Sequence, residues 1–563
     1  VVAASCRSTC QPAGAKPISR STSLTVCTPR SSRSRATGTT SAAARAASNT
    51  ISSTNWYQDA IAITATGTTG GTWTINGGTL KSGGSSLQSS GGQFSVGGAY
   101  AGTVTSATVT ALNLQNGFVD VAKGNAASAV GFVVGGSAGG APTALFNQSG
   151  GVAQFGVTAT TNFVPGFTVN TAATTNQNLN IGSASTTAGA VKAAYTLTGG
   201  RLLVAGTLSG TAPGNLFASD TGVSNFNFMG GTLTAGIITV TNLGSNSAAT
   251  ATSNQVTAST NVGTLINYGG TLAPGGDLVT NTPDAYGNAS LTYVPTSGKT
   301  TITGNYQVNS GSLAVNIGGT TASTAFQDAT NSGKFGNLSV SGTTVLGGTL
   351  TANLANGAGG TTFIPAGGNT FQIISSTGAL SGTFTNAGNK VVLGNDPFSG
   401  SLNIVYTTGA GGNVTLGGYA ANEWQGGGNW GSGGTARWTN AVDPNAASSG
   451  AKFGAAGTGA TAVTLDGNRT VGQLLFSSAN YTISGSSTLT LDNGASAASI
   501  TLQDATTQTI SAPIVLNSSL TVTGFSGGTT ILGNLTGAAR NLTVNASGST
   551  VTLTGTNTYN STS

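Results

Sequence analysis

Histidine is absent from these 563 residues, methionine occurs once, and charged side chains make up only 5% of the chain. Without an imidazole there is no Ser–His–Asp triad and no histidine general base. A soluble globular domain carries about a quarter charged residues. The shortage of Glu, Lys and Arg also removes most of the strong helix formers, and the one glutamate is Glu423. No apolar run reaches the roughly 18 residues of a membrane-spanning helix. Cysteine is confined to Cys6, Cys10 and Cys27. An odd number in one short stretch is a poor disulfide framework, and a zinc site there would need ligands that histidine cannot supply.

The formal charge of +6 is equally local. Residues 1–50 hold seven basic side chains (Arg7, Lys16, Arg20, Arg30, Arg33, Arg35, Arg45) and no acid; the other 11 basic and 12 acidic residues leave the rest of the chain at −1. A nucleic-acid partner is therefore not expected. The basic segment, "CRSTCQPAGAKPISRSTSLTVCTPRSSRSR", shows no strand alternation. Residues 1–50 are expected to stand outside the fold, as a disordered or non-native segment, with a basic arm for an anionic polymer as the alternative.

What the chain has instead is glycine, 89 of them, among Thr, Ser, Asn and Ala. Apolar residues come in short alternating pairs: Tyr481/Ile483, Leu489/Leu491, Ile500/Leu502, Leu520/Val522, Leu542/Val544 and Val551/Leu553. Each pair reads as a brief strand with two side chains in and a small polar one out. Between them lie "SGSS", "DNGAS" and "SGGTT", whose Gly and Asn suit tight turns. Strands this short are not stable alone and must stack on copies of themselves. "GGTL" at 77–80, 230–233, 269–272 and 347–350, with "GGRL" at 199–202, marks the repeat; from 199 onward its intervals are irregular, the longest between 269 and 347. The expected fold is all-β, a right-handed parallel β-helix (β-solenoid) in two consecutive arrays, 51–415 and 459–563, joined by a Gly/Trp-rich junction or cap at 416–458. Low charge fits stacking, because like charges one layer apart repel whereas Thr and Asn ladders hydrogen-bond.

Along 269–384 the segments "GGTLAPGG" (269–276), "TITGNYQVNSGSLAVNIGG" (301–319), "FQDA" (326–329), "GNLSVSGTTVLGGTL" (336–350) and "FQIISSTGALSGTF" (371–384) follow in that order. This resembles the β-helical passenger region of bacterial autotransporters. Residues 422–559 resemble exported proteins with autotransporter-associated β-strand repeats. The matching positions are Trp424, Gly426, Gly427, Gly428, Asn429, Trp430, Trp438, Pro444, Asn445 and Phe453, then "TLDGNRTVGQLLFSSANYTISGSSTLTLDNG" (464–494) and "TISAPIVLN" (509–517). "LTGTNTYNSTS" (553–563) also fits, and the family pattern commonly runs on beyond it, so the second array is expected to be truncated there. The resemblance implies export to the cell surface, outer membrane or medium, without assigning a route, and carries no defined active site. An outer-membrane anchor, if present, would belong to the full-length protein.

Little else suggests chemistry. "GGSAGG" (135–140) has no helix pattern after it, and "GGDLV" (275–279) has its Asp at the wrong place for a calcium nonapeptide. No cofactor or metal is expected. The best enzyme reading is a glycan-active β-helix, a polysaccharide lyase or hydrolase using Asp443, Asp466 and Asp492, each near one solenoid turn from the next, beside Arg469. Against it, "LDGN" and "LDNG" are turn sequences. Trp424, Trp430 and Trp438, threaded through "EWQGGGNWGSGGTARW" (423–438), are a weak candidate sugar contact, since aromatic faces stack on flat ligands. Alternatively they plug the open end of the second array. The expected function is that of an exported, adhesin-like structural scaffold, not an enzyme, with glycans or a host or matrix surface as partner.

Overall fold

In the computed structural model the described residues are 263–281 and 290–559 apart from 361, 432–436, 458 and 546, together with 192–210, 223–243 and a series of separate strands and one turn residue between 42 and 181. The chain divides into two compact units, Val1–Thr40 and Ser41–Ser563, and every described residue belongs to the second. The basic segment expected at 1–50 thus lies largely outside the described residues. Its last part nonetheless carries two strands: Ala42–Ala44 pairs in parallel with Ile61–Ala65, and Ser48–Ile51 with Thr72–Ser82. The "GGSAGG" stretch also lies outside the described residues.

Among the described residues there is no α-helix. The structure is nearly all β, with strands that pair mainly in parallel. The glycine–glycine repeats explain how. Backbone pairing runs from Leu80 to Val119, Ala153, Leu202, Leu233, Leu272, Leu313 and Leu350, each on the next. From Val119 onward every side chain in this column is buried. The irregular intervals therefore hide a missed member: "SGSL" (310–313) occupies the layer inside the longest of them, between 269 and 347. A second inward column runs Trp73, Leu112, Phe146, Tyr195 and Phe226. Its rings approach closely, with centroids 4.4 Å apart for Phe146–Tyr195 and 5.8 Å for Tyr195–Phe226. Polar neighbours between these columns form ladders: half-buried Asn147 donates to Asn113 Oδ1 (3.0 Å), and buried Asn227 to Thr196 Oγ1 (3.1 Å). Each layer stabilises the next through burial, roughly 1.5–3 kcal/mol per large aliphatic side chain.

Three places among the described residues depart from the expected all-parallel stack, the smallest being Ile317, which pairs antiparallel with Phe335. Asp277–Asn281 and Leu291–Pro295 form an antiparallel hairpin. Val279 and Leu291 of that hairpin join Phe118, Val152 and Leu203 in a small outer cluster. Then Thr370–Ser376, Lys390–Gly394, Ser401–Thr407 and Asn413–Ala420 pair antiparallel with one another. A strand that turns back takes up the hydrogen-bonding edge the next parallel layer would need. The buried cluster that begins at Trp73 ends here, at Leu416.

A second large cluster runs from Trp424 to Leu542. Here three five- or six-stranded parallel sheets share the chain in rotation. Gly450–Phe453, Gln473–Phe476, Ala498–Leu502, Leu520–Thr523 and Leu542–Asn545 stack in one. Arg469–Val471, Leu489–Leu491, Ile514–Leu516 and Leu535–Gly537 stack in another. Each strand pairs with the strand one turn of chain later. Ala462 lies opposite Thr482, and Thr482 lies opposite Thr509, so successive turns differ in length. Most of the alternating pairs of the sequence supply buried residues, among them Tyr481, Ile483, Leu489, Leu491, Ile500 and Val522, but Val544, expected to point inward, is exposed.

Candidate functional site

The three tryptophans come together because the chain doubles back across the glycine-rich loop. Trp424 and Trp438 form an antiparallel bridge, and Glu423 bridges in parallel to Lys452. Trp430 is held on the neighbouring ladder by its N–H to Thr464 O (2.8 Å). All three indoles are 0% exposed. Ring centroids lie 5.5 Å apart for Trp424–Trp438 and 5.2 Å for Trp430–Trp438, and Trp430 and Trp438 stand 5.6 and 5.7 Å from Phe453. Each indole N–H donates to a backbone carbonyl: Trp424 to Ala460 (3.2 Å), Trp430 to Pro444 (3.0 Å) and Trp438 to Trp430 (3.0 Å). A sugar stacks on an open ring face; here the neighbours of the rings are other rings. Glu423 pairs with Lys452 at 3.0 Å. Burial, and then the Glu423 carboxylate, push the Tyr481 phenol up to about 12.

The aspartates of the enzyme reading lie in turns. Asp466 pairs with Arg469 (2.7 Å) and accepts the Gly431 N–H (3.0 Å). Burial works to raise its carboxyl, but the Arg469 and Gly431 hydrogen bonds win and hold it below the ordinary carboxylate range. Asp492 accepts the N–H of Gly494 (2.9 Å), a local turn contact. Asp466 precedes the strand Arg469–Val471, whereas Asp492 follows the strand Leu489–Leu491 that pairs with it. The two carboxylates therefore belong to turns at opposite ends of one strand pair. Asp443 lies outside the strands, beside Pro444, whose carbonyl oxygen accepts the Trp430 indole N–H. No group of three or more metal-ligating His, Cys, Asp or Glu occurs among the described residues.

Sequence reasoning passed over two places. One is the turn 395–400, where Asp396 is buried, 8% exposed. It accepts the N–H groups of Phe398 (2.9 Å) and Gly400 (2.8 Å) and the Tyr419 hydroxyl (3.1 Å). The same turn meets the tryptophan segment: Asn422 N–H donates to Phe398 O (2.9 Å), Asn440 Nδ2 to Ser399 O (2.8 Å), and Gly450 N–H to Pro397 O. Desolvation raises the Asp396 carboxyl above its ordinary value of 3.8, against the pull of those hydrogen bonds. A raised folded pKa means the fold favours the protonated form. That stability is complete below the ordinary value and is lost as pH rises through the folded one. Asp396→Asn cannot ionise, so its stability relative to wild type should rise as pH climbs from about 4 to 7. Urea midpoints across that range check this, and a flat difference refutes it.

The other is an open groove of about 660 Å³ lined by Leu516, Asn517, Thr536, Arg540, Thr558 and Tyr559, among others. Gly537 also lines it, packed so closely that a Cβ there would stand 2.7 Å from the Cβ of buried Leu516. Tyr559 reaches the groove through its pairing with Gly537, one turn of chain earlier. That register is the only signal that could have joined it to Arg540. Compared with known proteins, the chain matches no protein-family model, no curated protein and no solved structure.

Proposed function

We propose that the chain is an exported bacterial surface scaffold, a right-handed parallel β-helix of the kind found in autotransporter passengers. It works by presenting a long, nearly uncharged β surface to glycans or to a host or matrix surface, outside the cell or at the outer membrane. The observation that carries this reading is the self-stacking of partly exposed polar side chains, such as Asn113–Asn147 and Thr271–Ser312, on layers paired in parallel. Such ladders build an extended surface from repetition alone, with no need for a reacting centre. Support for a non-enzymatic role comes from Asp466 and Asp492, which are spent on turns and on Arg469. The groove beside Tyr559 and Arg540 offers donors and a ring only partly buried against the second cluster, so we place glycan contact there before the fully buried tryptophans.

The test is a glycan and matrix-protein array probed with the wild-type chain and with Tyr559→Ala. Binding to at least one immobilised glycan or matrix protein, lost in the variant with unchanged far-UV circular dichroism, is the expected result. A chain that binds nothing on the array is a spacer, and a chain that shortens an offered polysaccharide is an enzyme; either overturns the reading.

A further inference from the structure

The sequence contains two Asp–Pro bonds, Asp396–Pro397 and Asp443–Pro444, one on each side of the tryptophan segment. Such bonds are unusually open to acid. Proline nitrogen belongs to a tertiary amide and takes up a proton more readily than other peptide nitrogens, and a carboxyl group sits within reach of the carbonyl. The fold buries the first of these carboxyls and builds a cradle around it. Asp396 is tied forward onto the N–H two residues on, an Asx turn that bends the carboxyl over the following peptide. A second N–H and the Tyr419 hydroxyl complete its surroundings. Two non-glycine residues flank the bond at positive φ, Asn395 at 60° and Ser399 at 44°, a conformation that stores strain. Asp443, by contrast, is only half-buried.

We propose that Asp396–Pro397 is a self-cleavage site, at which the Asp396 carboxyl group cuts its own peptide bond in mildly acidic surroundings. A side-chain oxygen attacks the Asp396 carbonyl carbon, and a C–O bond forms as the C–N bond to Pro397 breaks. The electron pair leaves with the proline nitrogen, which takes the carboxyl proton, giving a five-membered cyclic anhydride and a free prolyl amine. One water then opens the anhydride, restoring the Asp396 side chain and leaving a new α-carboxyl group. The balance is peptide plus water to acid plus amine, with no cofactor. Burial keeps the carboxyl protonated to higher pH than usual, so its proton is available where exposed aspartates have lost theirs. Tyr419 is the titratable side chain bonded to it. On the neighbouring strands Tyr406 accepts the Phe384 N–H, Lys452 is paired with Glu423, and Lys390 is exposed.

Cleavage there nicks the chain and does not release it. Ser401–Thr407 and Asn413–Ala420 stay hydrogen-bonded to Lys390–Gly394 and Thr370–Ser376 across the cut.

The experiment incubates the full folded chain at about pH 5, above the ordinary carboxylate range, and follows it by intact mass and by sequencing of new N-termini. A new terminus at Pro397 should appear at least about tenfold faster than one at Pro444, a difference of about 1.36 kcal/mol in barrier. It should also appear faster than in the same chain unfolded in urea. The fragments should co-elute in native buffer and separate in denaturant. Pro397→Ala, which restores a secondary amide, should slow the cut without moving far-UV circular dichroism. Equal rates at the two bonds, faster cutting in urea, or an intact chain each overturn the proposal.

Discussion

Trp430→Ala lowers the stability of the part of the chain built on the second buried cluster by about 4 kcal/mol or more, at or above the middle of the range for removing a buried aromatic. The indole is 0% exposed and stands 5.2 Å from Trp438 and 5.6 Å from Phe453 between ring centroids. Its loss leaves a cavity walled by rigid rings, which collapse into the space less readily than aliphatic chains. It also leaves the Pro444 carbonyl without the indole N–H that it accepts at 3.0 Å. A buried acceptor stripped of its donor adds roughly 1–3 kcal/mol of its own. Trp430→Phe refills much of the volume and should cost about half as much. Chemical unfolding followed by tryptophan fluorescence reads the effect, with three of the five tryptophans in this cluster. The transition of the cluster that ends at Leu416 should not move, because the indoles belong to a separate buried cluster. If the indoles instead serve a ligand, the variant keeps its midpoint and loses binding on the glycan array, which reverses the order of the two roles.

Much of this arrangement can be read from side-chain spacing. Tyr481/Ile483 and Leu489/Leu491 alternate in the sequence and are buried in the structure, because a period of two fixes which face a residue takes. The glycine–glycine repeats mark a stacked column, but their spacing hides layers, since "NGFV" (116–119) and "SGSL" lack the doubled glycine. The antiparallel strands between 370 and 420 have the same alternation as parallel ones, and direction leaves no trace in a period of two. Pairing over long intervals hides the sites as well. Asp396 meets Tyr419, and Tyr559 meets Gly537, only through registers that composition does not encode. The aspartates at 466 and 492 show the reverse. Their one-turn spacing suggests convergence, yet the paired strands hold their turns at opposite ends.

Gly200→Ala is the backbone counterpart, and it should cost about 3 kcal/mol or more. Gly200 has φ +74°, where an L side chain is strained by roughly 1–2 kcal/mol. A Cβ there would also lie 2.4 Å from the carbonyl oxygen of Gly151 and 2.5 Å from the carbonyl carbon of Gly150, atoms of the layer beneath. Neither is the end of a flexible side chain, so relief requires the layers to part, at a further cost of about 1–3 kcal/mol. The next layer repeats the problem: Gly231, at φ +66°, would meet the Gly200 oxygen at 2.8 Å. Doubled glycines recur in the sequence because each turn rests on the turn below, and a side chain in one layer disturbs two interfaces. Gly409→Ala separates the two contributions. Its φ is +92° and nothing lies within 4 Å of its Cβ position, so it should cost only the conformational strain, about 1–2 kcal/mol. Unfolding free energies of the two variants decide the matter. A clear excess for Gly200→Ala places the constraint in the contact between layers, whereas equal losses would place it in backbone conformation alone and leave the stacked column without its steric reason.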